Sequence, residues 1–370
     1  MQIHCPSPSL NRLLTGWALL FCTGAFPVWA SEPSLEIIRL AVTKSLPLLQ
    51  KGMVGHTAER TCFACHNQAM PILAMTTARG RGFEVNNDLL KSQATFIAEF
   101  LEKNKARYQE GQGQGGQVVT AGYALFALEL CDGKPDGLSS AVSEYFLRYN
   151  RDIDHWQGHS NRPPSEGSPF TATYLALRAL QKFGTPDQKE RIAKRVKEVH
   201  QWLLKTPTKD TEDRVYKLWA LMAVQADKAT KQAVINELVA SQRPDGGFAQ
   251  MDTMKSDTYA TGQVLVLLHL AGGMATGDPA YQRGLAYLLK EQLADGSWLV
   301  KTRSVPFQTY YESGYPHGKD QFISLHAASW ATTALALACP TLTKPEDRPT
   351  PTKKVAPPMA KPTSPIDPKK

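Results

Sequence analysis

Two kinds of helix alternate along most of this chain, and that alternation restricts the fold more than any other feature. One kind is amphipathic, with apolar residues at helical spacing and charges between them: residues 88–103, 139–149, 188–205, 230–241 and 279–292. The other is apolar on nearly every side: residues 118–130, 169–183, 212–226, 258–271 and 324–338. A helix of the second kind has no face to offer water and must be enclosed. Enclosing these helices with the amphipathic ones gives two concentric layers. The pattern therefore predicts an all-α chain folded as a single α/α toroid, with an inner and an outer ring. No segment alternates convincingly at period two, so sheet content should be small.

A repeated signature closes the amphipathic helices: an aromatic before Leu, a Gln four positions later, then Gly and an aromatic. The clearest copy is Tyr287-Leu288, Gln292, Gly296 and Trp298; the next runs through Leu238, Gln242, Gly246 and Phe248. Weaker echoes lie at Phe100-Leu101, at Phe146-Leu147 with Trp156, and at Trp202-Leu203. Asp-Gly turns at Asp245-Gly246 and Asp295-Gly296 punctuate the connections. This signature resembles the QW motif of squalene–hopene and oxidosqualene cyclases over roughly Asp88 to Ala338. The resemblance implies the terpenoid cyclase/protein prenyltransferase toroid, in one copy where those cyclases carry two. The segment from Phe307 to Gln321 is also similar to exported bacterial prenyltransferase/squalene-oxidase-repeat proteins, some of which carry C-x-x-C-H ahead of the repeats.

Cys62-Phe63-Ala64-Cys65-His66 is such a run, the attachment signature of a c-type haem. Two thiols three positions apart can each add across a vinyl group of one porphyrin, and the adjacent imidazole then serves as an axial iron ligand. Residues 1–30 read as a secretory signal peptide: Arg12 supplies the positive charge, a short apolar core follows, and Val28-Trp29-Ala30 favours cleavage before Ser31. Such a leader places the chain in the periplasm or otherwise outside the cytoplasm, with no transmembrane span after cleavage. A zinc site needs a second Cys or His pair at similar spacing, which is missing. One covalent haem c is thus the expected cofactor, held by Cys62, Cys65 and His66, with His66 as the proximal iron ligand. Cys131 and Cys339 are left as free thiols or a disulfide.

The opposite face of the iron is harder to assign. Met70 follows His66 by one helical turn and shares its side of the haem. Met75 is also close, and no further Met appears until Met222. The histidine candidates are His56, His155, His159 and His317. We favour His317, because its polar loop opens the last inner helix and a ring brings its last helix near its first. His269 sits in an apolar helix and reads as core.

Class II terpene cyclases protonate an alkene with the middle Asp of a D-x-D-D motif. The cyclase resemblance therefore draws attention to Asp210-Thr211-Glu212-Asp213, where Asp210, Glu212 and Asp213 are the candidate catalytic acids. The decisive position holds Glu, and acids in a first helical turn also serve as ordinary caps. Tyr123, Tyr174, Trp219, Tyr259 and Trp330 fall on inner helices, as cavity lining or as plain core. The loops 152–168 and 303–321 are long and polar, good places for a site.

The formal net charge of +8 carries no nucleic-acid footprint. The leader supplies +1 of it and residues 341–370 supply +4, leaving +3 for the rest. The chain thus divides into a signal peptide (1–30), an N-terminal helical segment with the haem motif (31–87), the toroid (88–340) and a disordered Pro/Lys-rich tail (341–370). The expected function is electron transfer or redox chemistry, with a redox partner protein or a small apolar substrate. The alternatives are a class II cyclase-like enzyme, or a toroid binding an apolar ligand or protein with a structural or sensory haem.

Overall fold

The computed structural model describes residues 32–158, 162–305 and 309–341. The expected signal peptide and its cleavage point, the tail beyond 341, and His159 lie outside the described residues.

Thirteen α-helices account for most of the described chain. The outer ring is α1 (Leu35–Glu59), α3 (Asn87–Glu102), α6 (Gly137–Arg148), α8 (Lys189–Lys205), α10 (Lys228–Ala240) and α12 (Pro279–Glu291). The inner ring is α2 (Met70–Gly80), α5 (Gln117–Leu130), α7 (Pro169–Phe183), α9 (Thr211–Ala223), α11 (Thr258–Leu270) and α13 (Gln321–Leu337). Short α4 (Lys105–Gln109) fills the turn before α5. Each inner helix packs on the next, and α13 returns to pack on α2 and α1. The ring is closed. Among the described residues there is no strand, only an isolated bridge between Phe248 and Asp257.

The N-terminal segment is not an appendage to this ring. Residues 31–87, which the sequence pattern sets apart, supply α1 and α2, the sixth helix pair. The reason is burial. Helix α13 is apolar all round, so the side not covered by α11 needs a partner, and α2 provides it.

Local chemistry sets the helix ends. Ser34, Asn86, Asp136, Ser168, Asp210, Asp227, Asp257 and Asp278 each accept a backbone N–H from the first turn of the helix that follows. Pro169 and Pro279 stand at the first helical position, where a missing N–H costs nothing.

The repeated signature works as a weld between outer helices. Gln292 donates from Nε2 to Gly296 O (3.1 Å) and to Ala41 O of α1 (3.0 Å), so the last repeat is tied to the first helix. Gln242 does the same to Gly246 O (2.9 Å) and Ala280 O of α12 (2.7 Å). Trp298 is fully buried and its indole N–H reaches Leu288 O at 2.8 Å. Gly246 (φ +85°) and Gly296 (φ +91°) are required twice over: the backbone is left-handed, and a Cβ would lie 2.5 Å from Arg283 O or 2.7 Å from Lys44 O.

Candidate cofactor site

The link between α1 and α2 carries Cys62 to His66 and forms part of the wall of a cavity of about 430 Å³ at one mouth of the ring. That size falls among pockets that hold small molecules and cofactors. The two long loops meet the link there. Arg162, Pro163, Ser165 and Glu166 come from one, and Thr302, Ser304 and Val305 with Thr309 to Tyr311 from the other, within the described residues. Helix α13 adds Phe322, Ile323 and His326.

His56, in the last turn of α1, fixes the link. Its Nε2 lies 2.7 Å from Cys62 O and its Nδ1 2.6 Å from Tyr311 Oη. A carbonyl only accepts, so Nε2 carries the proton and Nδ1 accepts from the tyrosine O–H. The ring is neutral, in keeping with burial that lowers its pKa below the usual histidine range. Tyr311 is clamped in turn. Arg60 stacks its guanidinium 4.2 Å from the Tyr311 ring centre and donates to Thr309 O at 2.8 Å. Gln321, at the start of α13, accepts from Ser313 N and Oγ (2.7 and 2.6 Å) and donates to Tyr310 Oη at 2.8 Å.

Beyond the link the backbone makes one π-helical turn, Cys65–Ala69, before α2 begins. Such turns recur at functional sites because they re-aim a side chain. Buried Asn67 donates to Gly52 O (2.9 Å), and Gln68 both accepts from Ala64 N (2.9 Å) and donates to Gln93 Oε1 (3.1 Å). The turn is therefore held rigidly from below.

Cys62 is exposed and Cys65 buried, both as free thiols. The Cys65 S–H donates to Glu166 Oε1 at 3.5 Å. Burial, then the Glu166 charge, pushes that thiol well above its usual pKa, so it is no thiolate nucleophile. His66 stands beside it with its ring centre 5.1 Å from that of Phe322. Burial, then the Arg162 guanidinium, holds His66 well below the usual range, which leaves a neutral imidazole with a lone pair to give. Cys65 Sγ, a His66 nitrogen and a Glu166 oxygen lie within 4.8 Å of one another, close enough to share a metal ion.

The sequence candidates scatter. His317 is not on the cavity wall: it sits at a left-handed position before α13, with Nε2 2.9 Å from Ser297 Oγ. The histidine of this region that does line the cavity is His326, nine residues on and one turn after Phe322 on α13. His155 stacks on Trp202 at 4.5 Å and bonds Asp154. His269 bonds Met274 O at 2.8 Å, as a satisfied core group does. Only His56, of the distal candidates among the described residues, lines the cavity, and both its nitrogens are engaged.

Asp210, Glu212 and Asp213 do cluster, but in unlike roles. Asp210 caps α9, accepting from Asp213 N at 3.0 Å. Asp213 accepts from Ser168 Oγ at 2.7 Å and so ties α9 to the start of α7. Glu212 turns inward, 2 % exposed, against Thr171 Oγ1 (3.0 Å), Tyr259 Oη (3.2 Å) and Gln263 Nε2 (2.8 Å). Burial, with the Asp210 charge adding to it, raises its pKa to about 8, so it is mainly protonated at pH 7. Tyr123 and Tyr216 bond each other through their hydroxyls at 2.8 Å, and Tyr174 stacks on Trp219 at 4.6 Å. Tyr123, Tyr174, Trp219, Tyr259 and Trp330 are all buried and stand off the cavity wall, so this aromatic set packs the interior of the ring as core.

No family model and no curated protein sequence matches the chain. Solved structures do. The type II terpene cyclase MstE from Scytonema aligns with a TM-score of 0.54 at 15 % identity, covering 84 % of this chain and 100 % of that one. A protein from Actinoplanes aligns at 0.54 and 12 % identity, covering 81 % and 99 %. A glycosidase variant in complex with glucose aligns at 0.53 and 11 %, covering 82 % and 98 %. A fold shared by a cyclase and a glycosidase fixes the architecture and leaves the chemistry to the site. The chain has the terpene cyclase-like α/α toroid fold.

Proposed function

We propose that this protein is an exported c-type haem protein, in which the toroid holds one covalent haem at its mouth for electron transfer or redox chemistry. The observation that carries this reading is the placement of Cys62 and His66 on the wall of the cavity, with Cys65 Sγ beside wall residue Glu166. The surroundings suit a porphyrin. Tyr311, Phe322, Ile323 and Val305 give an apolar lining, and Arg60 and Lys319 bring cations for its carboxylates, while Arg162 pairs with Glu166 at 3.6 Å. Cys62 and Cys65 would hold the group through thioethers, His66 through an imidazole nitrogen, and haem supplies a one-electron couple. The chain's own part is support. His56 fixes the Cys62 carbonyl, Tyr311 and Gln321 hold the covering loop, and the buried Gln68–Gln93 pair keeps the turn from shifting.

The test is production of the full chain with a cytochrome c maturation system in a bacterial periplasm. One haem should stay bound through denaturing electrophoresis, and replacing both cysteines by Ala should abolish it. Intact mass without the added group, or metal analysis showing a bare ion with no porphyrin, overturns the reading.

Glu212 favours a second reading, a class II cyclase-like activity. It is a neutral buried acid at the start of an inner helix, and a structural neighbour of this fold was solved with geranylgeranyl dihydroxybenzoate as substrate. Turnover of polyprenyl substrates that disappears in Glu212→Gln would establish it. The closed packing around Glu212 makes it the lesser reading, since the acid does not line the cavity.

A further inference from the structure

We propose that His326 supplies the second axial nitrogen to the haem iron, opposite His66. The inference rests on the haem reading above and concerns a residue that reading leaves idle.

Among the described residues, three histidines line the cavity: His56, His66 and His326. His66 belongs to the attachment motif. His56 is consumed, one nitrogen by a carbonyl and the other by Tyr311. His326 is different. It is 1 % exposed, and its Nε2 is buried with no hydrogen-bond partner among the described residues. Native proteins seldom leave a buried imidazole nitrogen unbonded, because its lost hydration is not returned. The residue itself lines the cavity, so a group that enters there meets its imidazole.

Its position is also suitable. Phe322 and His326 stand one turn apart on α13, and the Phe322 ring is against His66. Helix α13 is buried along its whole length between α11, α2 and α1, so the imidazole is carried on a rigid element and not on a loop. The side chains around it cannot compete. Tyr310 bonds Gln321, Tyr311 bonds His56, and no Met among the described residues lines the cavity; Met70 and Met75 are buried in α2. Tyr259 and Trp330 pack on the His326 ring (4.9 and 6.2 Å between centres) and set its orientation. Imidazole is a good donor to iron, and two imidazoles make a six-coordinate, low-spin centre.

The test uses the full chain matured with haem, and two variants, His326→Ala and His326→Leu, the second keeping the space filled. Haem stain after denaturing electrophoresis is scored first, because covalent attachment does not depend on the distal ligand. The parent should then give a low-spin ferric spectrum by optical absorption and EPR, and bind CO slowly in the ferrous state. Both variants should stain equally but turn high-spin and bind cyanide at least tenfold more tightly, and free imidazole should restore the low-spin spectrum. His317→Ala, outside the cavity, should match the parent. A high-spin parent, or stained variants that stay low-spin, overturns the inference while the haem reading stands. No stain in the parent removes both.

Discussion

Two regions of this ring bury ionisable groups, and they bury them differently. Around Glu212, each carboxylate oxygen meets a donor: Thr171 on one, Tyr259 and Gln263 on the other. Around the Cys62–His66 link, the groups face a cavity, and His326 keeps an unbonded nitrogen among the described residues. The first region is closed and satisfied, as a structural network is. The second is open and incomplete, as a binding site is. Sequence alone ranks them by motif, D-x-E-D against C-x-x-C-H; the structure ranks them by what is left unsatisfied.

The difference should be largest in the pH dependence of stability. Glu212 has its pKa raised to about 8 in the folded state, against 4.5 for a free Glu. Between those values the folded form keeps a proton that the unfolded chain has lost. Stability conferred by this group therefore falls as pH rises from about 4.5 to 8, by at most about 1.4 kcal/mol per pH unit. Asp257, raised to about 6, and Asp210, also raised, act in the same direction. The histidines of the cavity work the other way in the haem-free chain. His56, His66 and His326 have lowered folded values, the last at about 3, so stability they confer is lost as pH falls below about 6.5. Glu212→Gln, an uncharged shape match, should flatten the alkaline limb and leave the acid limb alone. Urea unfolding at pH 5, 6, 7 and 8 measures this; an unchanged alkaline slope would show that Glu212 is ionised in the folded chain, its charge held by the three donors.

A smaller effect separates the cavity's frame from its ligands. Tyr311→Phe removes the O–H that His56 Nδ1 accepts and leaves a buried nitrogen unpaired, at a cost of about 1–2 kcal/mol. The tilted ring contact with Phe322 (5.1 Å) remains. The expected result is a lower urea midpoint with haem attachment still stoichiometric, because neither thiol is touched. Equal stability would mean that His56 finds another donor, and the clamp on Cys62 O would be weaker than its geometry suggests.

How much of this is legible in the sequence follows from which forces act locally. Helix-period patterning finds the ten toroid helices within about three residues at every end, because apolar spacing and Asp or Ser caps are local signals. The widest departures are at the end of α9, where the pattern runs on to 226 past Ala223, and at the start of α13, where it begins at 324 and the helix at Gln321. The place of α1 and α2 in the ring is not legible. They carry no copy of the Gln–Gly–aromatic weld, yet they receive it: Gln292 bonds Ala41. The motif Cys62–His66 is readable in full, as are the two loops that meet it. His326 is not, because a helix apolar on all sides gives no face from which to read direction; only ring closure decides that residues 322 and 326 point at the mouth.

His317 and His326 make the finest contrast, and the smallest predicted effect. His317 has φ +88°, a left-handed position that disfavours any side chain, and its ring is held by Ser297. Replacing it by Gly relieves the backbone by about 1 kcal/mol and gives up one partly exposed hydrogen bond of similar worth. The two should cancel to within about 1 kcal/mol, with no change at the cavity. His326 has an ordinary helical backbone and an unpaired nitrogen among the described residues, so its replacement relieves no backbone strain and should act on bound ligand. Thermal unfolding of His317→Gly beside spectra of the loaded protein checks this. A spectral shift in His317→Gly would move the distal function back to the loop and reverse the ranking of the two histidines.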